Sequence, residues 1–509
     1  MLAKVMSYGL NGINGFAVTV EVDINSGLPG VETVGLPDAA IRESKERVRS
    51  ALKNSGFKFP ATKVTVNLAP ADTKKEGPVY DLPIALGMLA ASGQINYLGL
   101  GDTIFLGELS LDGKVAHVNG ILPLLISAKE SGYKRAVVPI SNRSEASYID
   151  GMDVYAVSSL LGAVQVIETD EILPITYTPV SNCPVGIGRG SDFKYVKGQF
   201  AAKRAMEIAA AGGHNILMIG PPGAGKTMLA RALPSILPDM TPEEALETTK
   251  IHSVSGLLSS DEGIVAERPF RTPHHTSTRV SLTGGGPSAR PGEVSLAHNG
   301  ILFMDEMPEY PRATLEILRQ PLEDGEITVA RAARTVRYPA NFMLVASMNP
   351  CPCGNYGSRT VECKCAPSQI QKYIGRMSGP LLDRIDLHIE VDNVTYDDLA
   401  STDLAEPSDN VKARVNEARD IQLLRLKGTG VYSNAKMTNS MTNEFCAIDT
   451  ACQNILKNAF DKLGLSARAY NRILKVARTI ADLGGCADIE PKHISEAIMY
   501  RTLDRKFWV

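Results

Sequence analysis

Nowhere in this 509-residue chain do apolar residues run for the roughly 18 consecutive positions that a membrane-spanning helix requires. The opening MLAKVMSYGLNGINGFAVTVEV also lacks the apolar run and small-residue cleavage site of a secretory leader, so a cytoplasmic protein is expected. Positive charge is not in excess. With 53 Lys and Arg against 56 Asp and Glu, the formal net charge of -3 excludes a globally basic nucleic-acid coat but leaves room for a local basic site. Internal repeats are missing, and 44% hydrophobic with 21% charged residues excludes a disordered or fibrous chain. The length exceeds a single core and predicts several domains. Cysteine is scarce: eight in all, yet four of them crowd into MNPCPCGNYGSRTVECKCAP as two C-x-C pairs separated by nine residues. In a reducing compartment such a cluster points to metal or redox chemistry rather than to structural disulfides.

Punctuation divides the chain. Residues 1–172 alternate short apolar runs (GFAVTVEVDI, KVTVNLAP, RAVVPI) with helical stretches, which predicts an α+β domain. TYTPVSNCPVGIGRGSD follows, and residues 173–191 read as a linker. Residues 192–392 carry an α/β pattern with nucleotide-binding signatures, and 393–509 are largely helical in pattern.

The strongest motif is HNILMIGPPGAGKTMLARAL, a short apolar strand running through a glycine-rich turn into a helix. Gly220, Pro221, Pro222, Gly223, Ala224, Gly225, Lys226, Thr227 and Met228 are its expected ATP-binding stretch. Backbone amides there can cradle phosphates, Lys226 would reach the β and γ phosphates, and Thr227 would ligate Mg²⁺. The bland alternative is a glycine turn that merely precedes a helix. Against it stands NGILFMDEMPE, an apolar strand ending in Asp305, which would support the Mg²⁺ shell, and Glu306, which would polarise the attacking water. NFMLVASMNP adds a strand ending at Asn349, where it could orient that water. In SGPLLDRIDLHIEV, Arg384 is either salt-bridged locally or presented to a neighbouring subunit's nucleotide, and spacing does not decide.

GPPGAGKT, ILFMDE, the Asn349 strand and LLDRID together resemble an AAA+ ATPase of the magnesium-chelatase-like branch. The resemblance is closer to the ComM/YifB family through TPHHTSTRVSLTGGG, ARPGEVSLAHNGILFMDE, NPCPCGNYG and LSARAYNRILKVARTIADL, and it covers nearly the whole chain. It implies an AAA+ P-loop core with a helical lid, assembled as a hexameric ring with ATP at each interface. On that resemblance Asn349 is sensor 1, Arg384 an arginine finger acting in trans, and Arg468 sensor 2, with Arg472 one turn later as rival.

Cys351, Cys353, Cys363 and Cys365 are candidate ligands of a closed, structural zinc site expected to stiffen the loop leading to Arg384; reduced free thiols or a redox pair are the alternatives. The N-terminal VTVNLAPADTKKEGPVYDLPIALGMLAASG resembles the Lon-protease (S5-like) fold. Its serine and lysine positions fall on Val79 and Leu122, which cannot serve as nucleophile or base, and Lys74 and Lys75 are expected to be solvated. Between Ile327 and Val361 no acid occurs, and ITVARAARTVRYP alternates like a hairpin whose Arg331, Arg334 and Arg337 could grip DNA phosphates; a basic solvated hairpin is the bland reading. RPFRTPHHTSTRV adds Arg268 and Arg271 beside Phe270. Together these imply an ATP-driven DNA motor, a helicase promoting branch migration in recombination and natural transformation. The ATPase subunit of a magnesium chelatase is the alternative.

Overall fold

Period-two patterning builds the N-terminal sheet. In KVTVNLA, Val64, Val66 and Leu68 are buried while the residues between them are half-buried, as in a strand with one fully covered face. The computed structural model describes residues 1–96, 100–169, 171–180, 191–286, 289–331, 334–358, 361–394, 400, 404–503 and 507. Strands β1 (Leu2–Asn11), β2 (Asn14–Asn25), β3 (Gly30–Val34), β4 (Lys63–Ala69), β5 (Thr103–Phe105), β6 (Arg135–Pro139) and β7 (Asp153–Val157) form a mixed sheet in the order β3-β4-β2-β1-β5-β6-β7. Helices α1 (Ala39–Asn54), α2 (Asp81–Ala91) and α3 (Ile121–Glu130), with the shorter helices Arg143–Ala146 and Leu160–Glu168, pack with this sheet. α1 starts where Asp38 accepts the Ile41 amide, and α2 is buried along its whole length.

Continuous apolar runs mark the second sheet. ILMI, ILFM and MLVASM are buried at every position, so both faces are covered. It comprises β8 (Ile216–Ile219), β9 (Phe270–Arg271), β10 (Ile301–Met304), β13 (Met343–Met348) and β14 (Leu387–Glu390) in the order β9-β10-β13-β8-β14. Every pairing is parallel. Between β10 and β13 the chain makes an antiparallel hairpin of β11 (Glu326–Arg331) and β12 (Arg334–Pro339). Helices α4 (Phe200–Gly212), α5 (Lys226–Ala232) and α6 (Pro242–Ser255) accompany the sheet. α6 opens with a Thr241–Glu244 capping box and Pro242, and stops at left-handed Gly256.

The two faces of this sheet have different partners. Ile216, Met218, Val345 and Leu387 share one core with residues of the C-terminal helices α7 (Ser408–Arg425), α8 (Thr450–Leu463), α9 (Ala467–Leu483) and α10 (Pro491–Met499). Leu217, Ile219, Leu302 and Met304 pack instead with Ile327, Val329, Val336 and Tyr338 of the hairpin. The N-terminal unit docks on this second side: Ile13 joins the hairpin core, and a Cβ on Gly12 would lie 2.4 Å from Val336 Cγ1. Ser253, near the end of α6, donates to buried Glu145. No helix among the described residues is long and apolar enough to cross a membrane.

Candidate functional site

The glycine turn after β8 is shaped by backbone crowding. A Cβ on Gly220 would lie 2.2 Å from the Val391 carbonyl oxygen, so only glycine lets the chain leave the sheet here. Gly223 (φ 81°) and Gly225 (φ 89°) are left-handed, and a Cβ on either would meet nothing within 4 Å. The outer side of the turn is therefore open. Pro222 and Met228 are exposed on it, while Ala224 is buried beneath. Lys226, the first residue of α5, turns back so that Nζ donates to the carbonyls of Gly220 (2.6 Å) and Pro221 (2.8 Å) and to Asn349 Oδ1 (3.1 Å). Burial lowers its pKa, against the opposing pull of Asp305 and Glu306. All three acceptors are uncharged. An anionic phosphate offers the ammonium group a stronger partner than any of them.

Thr227 Oγ1 donates to Asp305 Oδ2 at 2.9 Å, bringing together the two side chains that would hold Mg²⁺. The other Asp305 oxygen accepts from Ser347, whose hydroxyl also accepts the Glu306 amide at 3.1 Å. Glu306 stands exposed with a left-handed φ of 50°, a strained conformation that the Ser347 bond helps to hold at the strand end. Ser347 is a site residue the motifs did not flag. Its signal was a lone hydroxyl inside the otherwise apolar strand MLVASM. Lys226, Thr227, Asp305, Glu306 and Asn349 thus converge from β8, β10 and β13 at the carboxyl edge of the sheet, and they fit a magnesium nucleotide.

The arginines lie elsewhere. Pairing of Ile216 with Leu387 puts Arg384 before the start of β14, at the amino edge of the sheet, whereas Gly220 follows the end of β8. At least one strand length, about 10 Å, separates them. Arg384 is buried, ion-paired through Nη2 to Glu323, and donates through Nη1 to Pro380 O at 2.6 Å. Its Nε is buried without a hydrogen-bond partner among the described residues. Burial, then repulsion from Arg468, Arg319 and Arg472, lowers its pKa. Arg468 is 58% exposed and only 4.0 Å from Asp383, while Arg472 is tied to buried Asp386. Burial alone would raise the Asp386 pKa, but Arg472, His214 and the Asn215 amide together hold it below the ordinary range. So the chain gathers Arg384, Arg468 and Arg472, and keeps them from its own Lys226.

The four clustered cysteines do meet. Their Sγ atoms all lie within 4.8 Å of one another, with Cys351–Cys353 at 3.3 Å and Cys363 at 3.7 Å from both. Tetrahedral zinc with bonds of about 2.3 Å requires sulfurs about 3.8 Å apart, so the set fits a Cys₄ ion. Backbone amides of Asn355 and Lys364 pull the Cys353 thiol down to about 6, and the Tyr356 amide donates to Cys351 at 3.3 Å. The loop also has a contact that the sequence did not announce. It presses on the phosphate turn, where a Cβ on Gly354 would lie 2.4 Å from Pro222 Cδ. Of the remaining cysteines, Cys446 and Cys452 are buried, Cys486 is half-buried, and Cys183 lies outside the described residues.

Comparison with known proteins agrees with this geometry. The family "Magnesium chelatase, subunit ChlI" matches residues 192–399, "Subunit ChlI of Mg-chelatase" matches 20–142, and "Magnesium chelatase, subunit ChlI C-terminal" matches 405–501. Over 509 residues the chain is 44% identical to competence protein ComM of Haemophilus influenzae, covering 99% of this chain and 98% of that protein. It is 42% identical over 495 residues to YifB of Escherichia coli, covering 97% and 96%. The chain belongs to the ComM/YifB family. Lon protease 2 of Bacillus subtilis is 27% identical over 170 residues, 30% of each chain, which agrees with a Lon-like N-terminal region in this magnesium-chelatase-like AAA+ protein.

In this ComM/YifB chain the Lon-like region has no dyad at the expected positions: Val79 and Leu122 are both buried apolar residues. Lys75, expected in solvent, is completely buried and donates to the Pro70 carbonyl; burial lowers its pKa. Two arginines expected on DNA are ion-paired within the chain. Arg268 makes a double ion pair with Glu244 (3.0 and 2.8 Å) and donates to Pro238, Asp239 and Asn299 carbonyls. Arg271 clasps Glu293 with two bonds of 2.7 and 2.8 Å. Arg268 is 10% exposed in its side chain, Arg271 31%. Arg337, by contrast, is 73% exposed and only 3.7 Å from Glu326. The side chains of Arg331 and Arg334 lie outside the described residues, although their backbones pair across the hairpin.

Proposed function

We propose that this chain is an ATP-driven, ring-forming DNA motor, a ComM-type helicase that promotes branch migration during recombination and natural transformation. The observation that carries the reading is the split of the ATPase machinery between opposite edges of one sheet. Lys226, Thr227, Asp305, Glu306 and Asn349 stand at the carboxyl edge, while Arg384 and Arg468 stand toward the amino edge, about one strand length away. A second copy supplies the missing arginines, and head-to-tail repetition of that contact closes a ring, in this proposal a cytoplasmic hexamer. Mg²⁺ bound at Thr227 and Asp305 would neutralise developing phosphate charge, and the four cysteines would hold a structural zinc.

DNA as the moved substrate is supported by the basic hairpin β11–β12, exposed at Arg337 and free of acids from Ile327 onward. It is supported too by the full-length likeness to a protein whose name ties it to competence. The chelatase descriptions of the family matches favour the second reading, an ATPase subunit driving metal insertion; the 98% coverage of ComM weighs against it.

The deciding experiment measures ATP hydrolysis with and without single-stranded and branched DNA. Stimulation by DNA and unwinding of branched substrates are expected. Combined Arg331→Ala, Arg334→Ala and Arg337→Ala substitution should remove the stimulation, leave ATP affinity unchanged, and make binding less salt-dependent by about three phosphate contacts. Hydrolysis indifferent to every DNA structure would sink the motor reading.

A further inference from the structure

The Arg384 partner sits at an informative place. Glu323 lies on the short helix Arg319–Asp324, which Gly325 (φ 69°) ends one residue before β11 begins. The Ala340 amide, just past β12, donates to the Gly325 carbonyl at 2.7 Å, so this turn is the root of the hairpin. Arg384 is fixed at its backbone as well: its carbonyl accepts from Asn215 Nδ2 at 2.9 Å, and Asn215 Oδ1 accepts the Leu344 amide of β13 at 2.8 Å. The ion pair therefore joins the arginine edge to the hairpin root. Unlike Arg384, Glu323 is 55% exposed. It borders a cavity of about 280 Å³ that Asn341 and Lys436 also line, so a released carboxylate has space to turn into.

We propose that Glu323 is the resting partner of Arg384, and that the terminal phosphate of a nucleotide on a neighbouring copy displaces it, releasing the root of the hairpin. The inference rests on the reading of Arg384 as acting in trans. One guanidinium cannot give its best donor geometry to a carboxylate and to a phosphate at once, so occupancy of the neighbour's site is exchanged for the hold on β11. Glu323 is then a positioning residue that links one subunit's ATP to the next subunit's DNA-gripping element.

The test combines hydrogen exchange of residues 326–339 with ATP hydrolysis in the absence of DNA. In the parent, a non-hydrolysable ATP analogue should raise exchange of the hairpin root, and Lys226→Ala should abolish that rise. Glu323→Gln should show the raised exchange without nucleotide and hydrolyse ATP roughly two- to fivefold faster, the change expected from losing one half-exposed ion pair. Glu323→Asp, which keeps the charge, should behave as the parent. Mixing Arg384→Ala with Lys226→Ala protein tests the trans reading separately. If mixing restores hydrolysis while the parent hairpin ignores the analogue, or Glu323→Gln matches the parent, the exchange is overturned and the trans arginine stands. If mixing restores nothing, the trans arginine fails and the exchange falls with it.

Discussion

A single ammonium group dominates the nucleotide site. Lys226 is buried, depressed in pKa by that burial, and held on neutral oxygens, so removing it takes away the charge that a phosphate would replace those oxygens to reach. Lys226→Ala is expected to lose nucleotide binding, measured by equilibrium titration with a fluorescent ATP analogue. Glu306 touches neither Lys226 nor Thr227 by side chain among the bonds of the site; it stands exposed beyond the Asp305–Thr227 pair. Glu306→Gln should therefore bind ATP as the parent does while phosphate release falls about 10² to 10⁴-fold, the range of a lost general base. Full turnover in the glutamine variant would remove Glu306 from the chemistry. Ser347, which bonds to both acids, explains how a left-handed glutamate is held at a strand end.

At the scale of elements, the cysteine loop and the phosphate turn act as one piece. Gly354 fits against Pro222 with no room for a methyl group, so the order of the cysteine loop is passed to the turn that must present its amides. About one zinc per chain is expected by elemental analysis, lost with combined Cys351→Ser and Cys363→Ser substitution. Because of the Pro222 contact, loss of the metal should weaken ATP binding by about ten- to a hundredfold rather than affect rescue by neighbouring arginines. Metal-free protein with unchanged ATP affinity would refute this coupling. The hairpin is the other composite element. Val336 packs on Gly12 of the Lon-like region, so the proposed DNA-gripping element and the N-terminal unit share a boundary.

For the whole molecule, the opposite placement of Lys226 and Arg384 makes a definite demand on assembly. Arg384→Ala should be inactive alone, as should Lys226→Ala, yet a mixture should recover part of the hydrolysis because some interfaces then contain both intact halves. A trans arginine contributes about 10³ to 10⁵ in rate, so even a small fraction of intact interfaces is visible against either parent variant. Absence of recovery, with subunit mixing verified by labelled protein, would rule the shared site out. The C-terminal helices take part in the same logic, since α9 carries Arg468 and Arg472 to the Asp383–Asp386 corner beside Arg384.

By itself the sequence determined the elements whose geometry is local. GPPGAGKT specifies its turn because left-handed glycines and a following helix are properties of adjacent residues, and ILFMDE specifies a buried strand with acids at its end. The two C-x-C pairs likewise announced a cluster that the fold closes. Charge partners were decided by the tertiary structure alone. Arg268 looked free beside Phe270, but Glu244 meets it from 24 residues upstream, and Arg384 finds Glu323 from 61 residues away. Lys75 resembled a surface lysine until packing covered it. An ion pair or a buried amine depends on which distant segments the two cores bring into contact, and no local pattern of residues carries that information; the edge of the sheet that Arg384 occupies became readable only from the parallel register of β8 and β14.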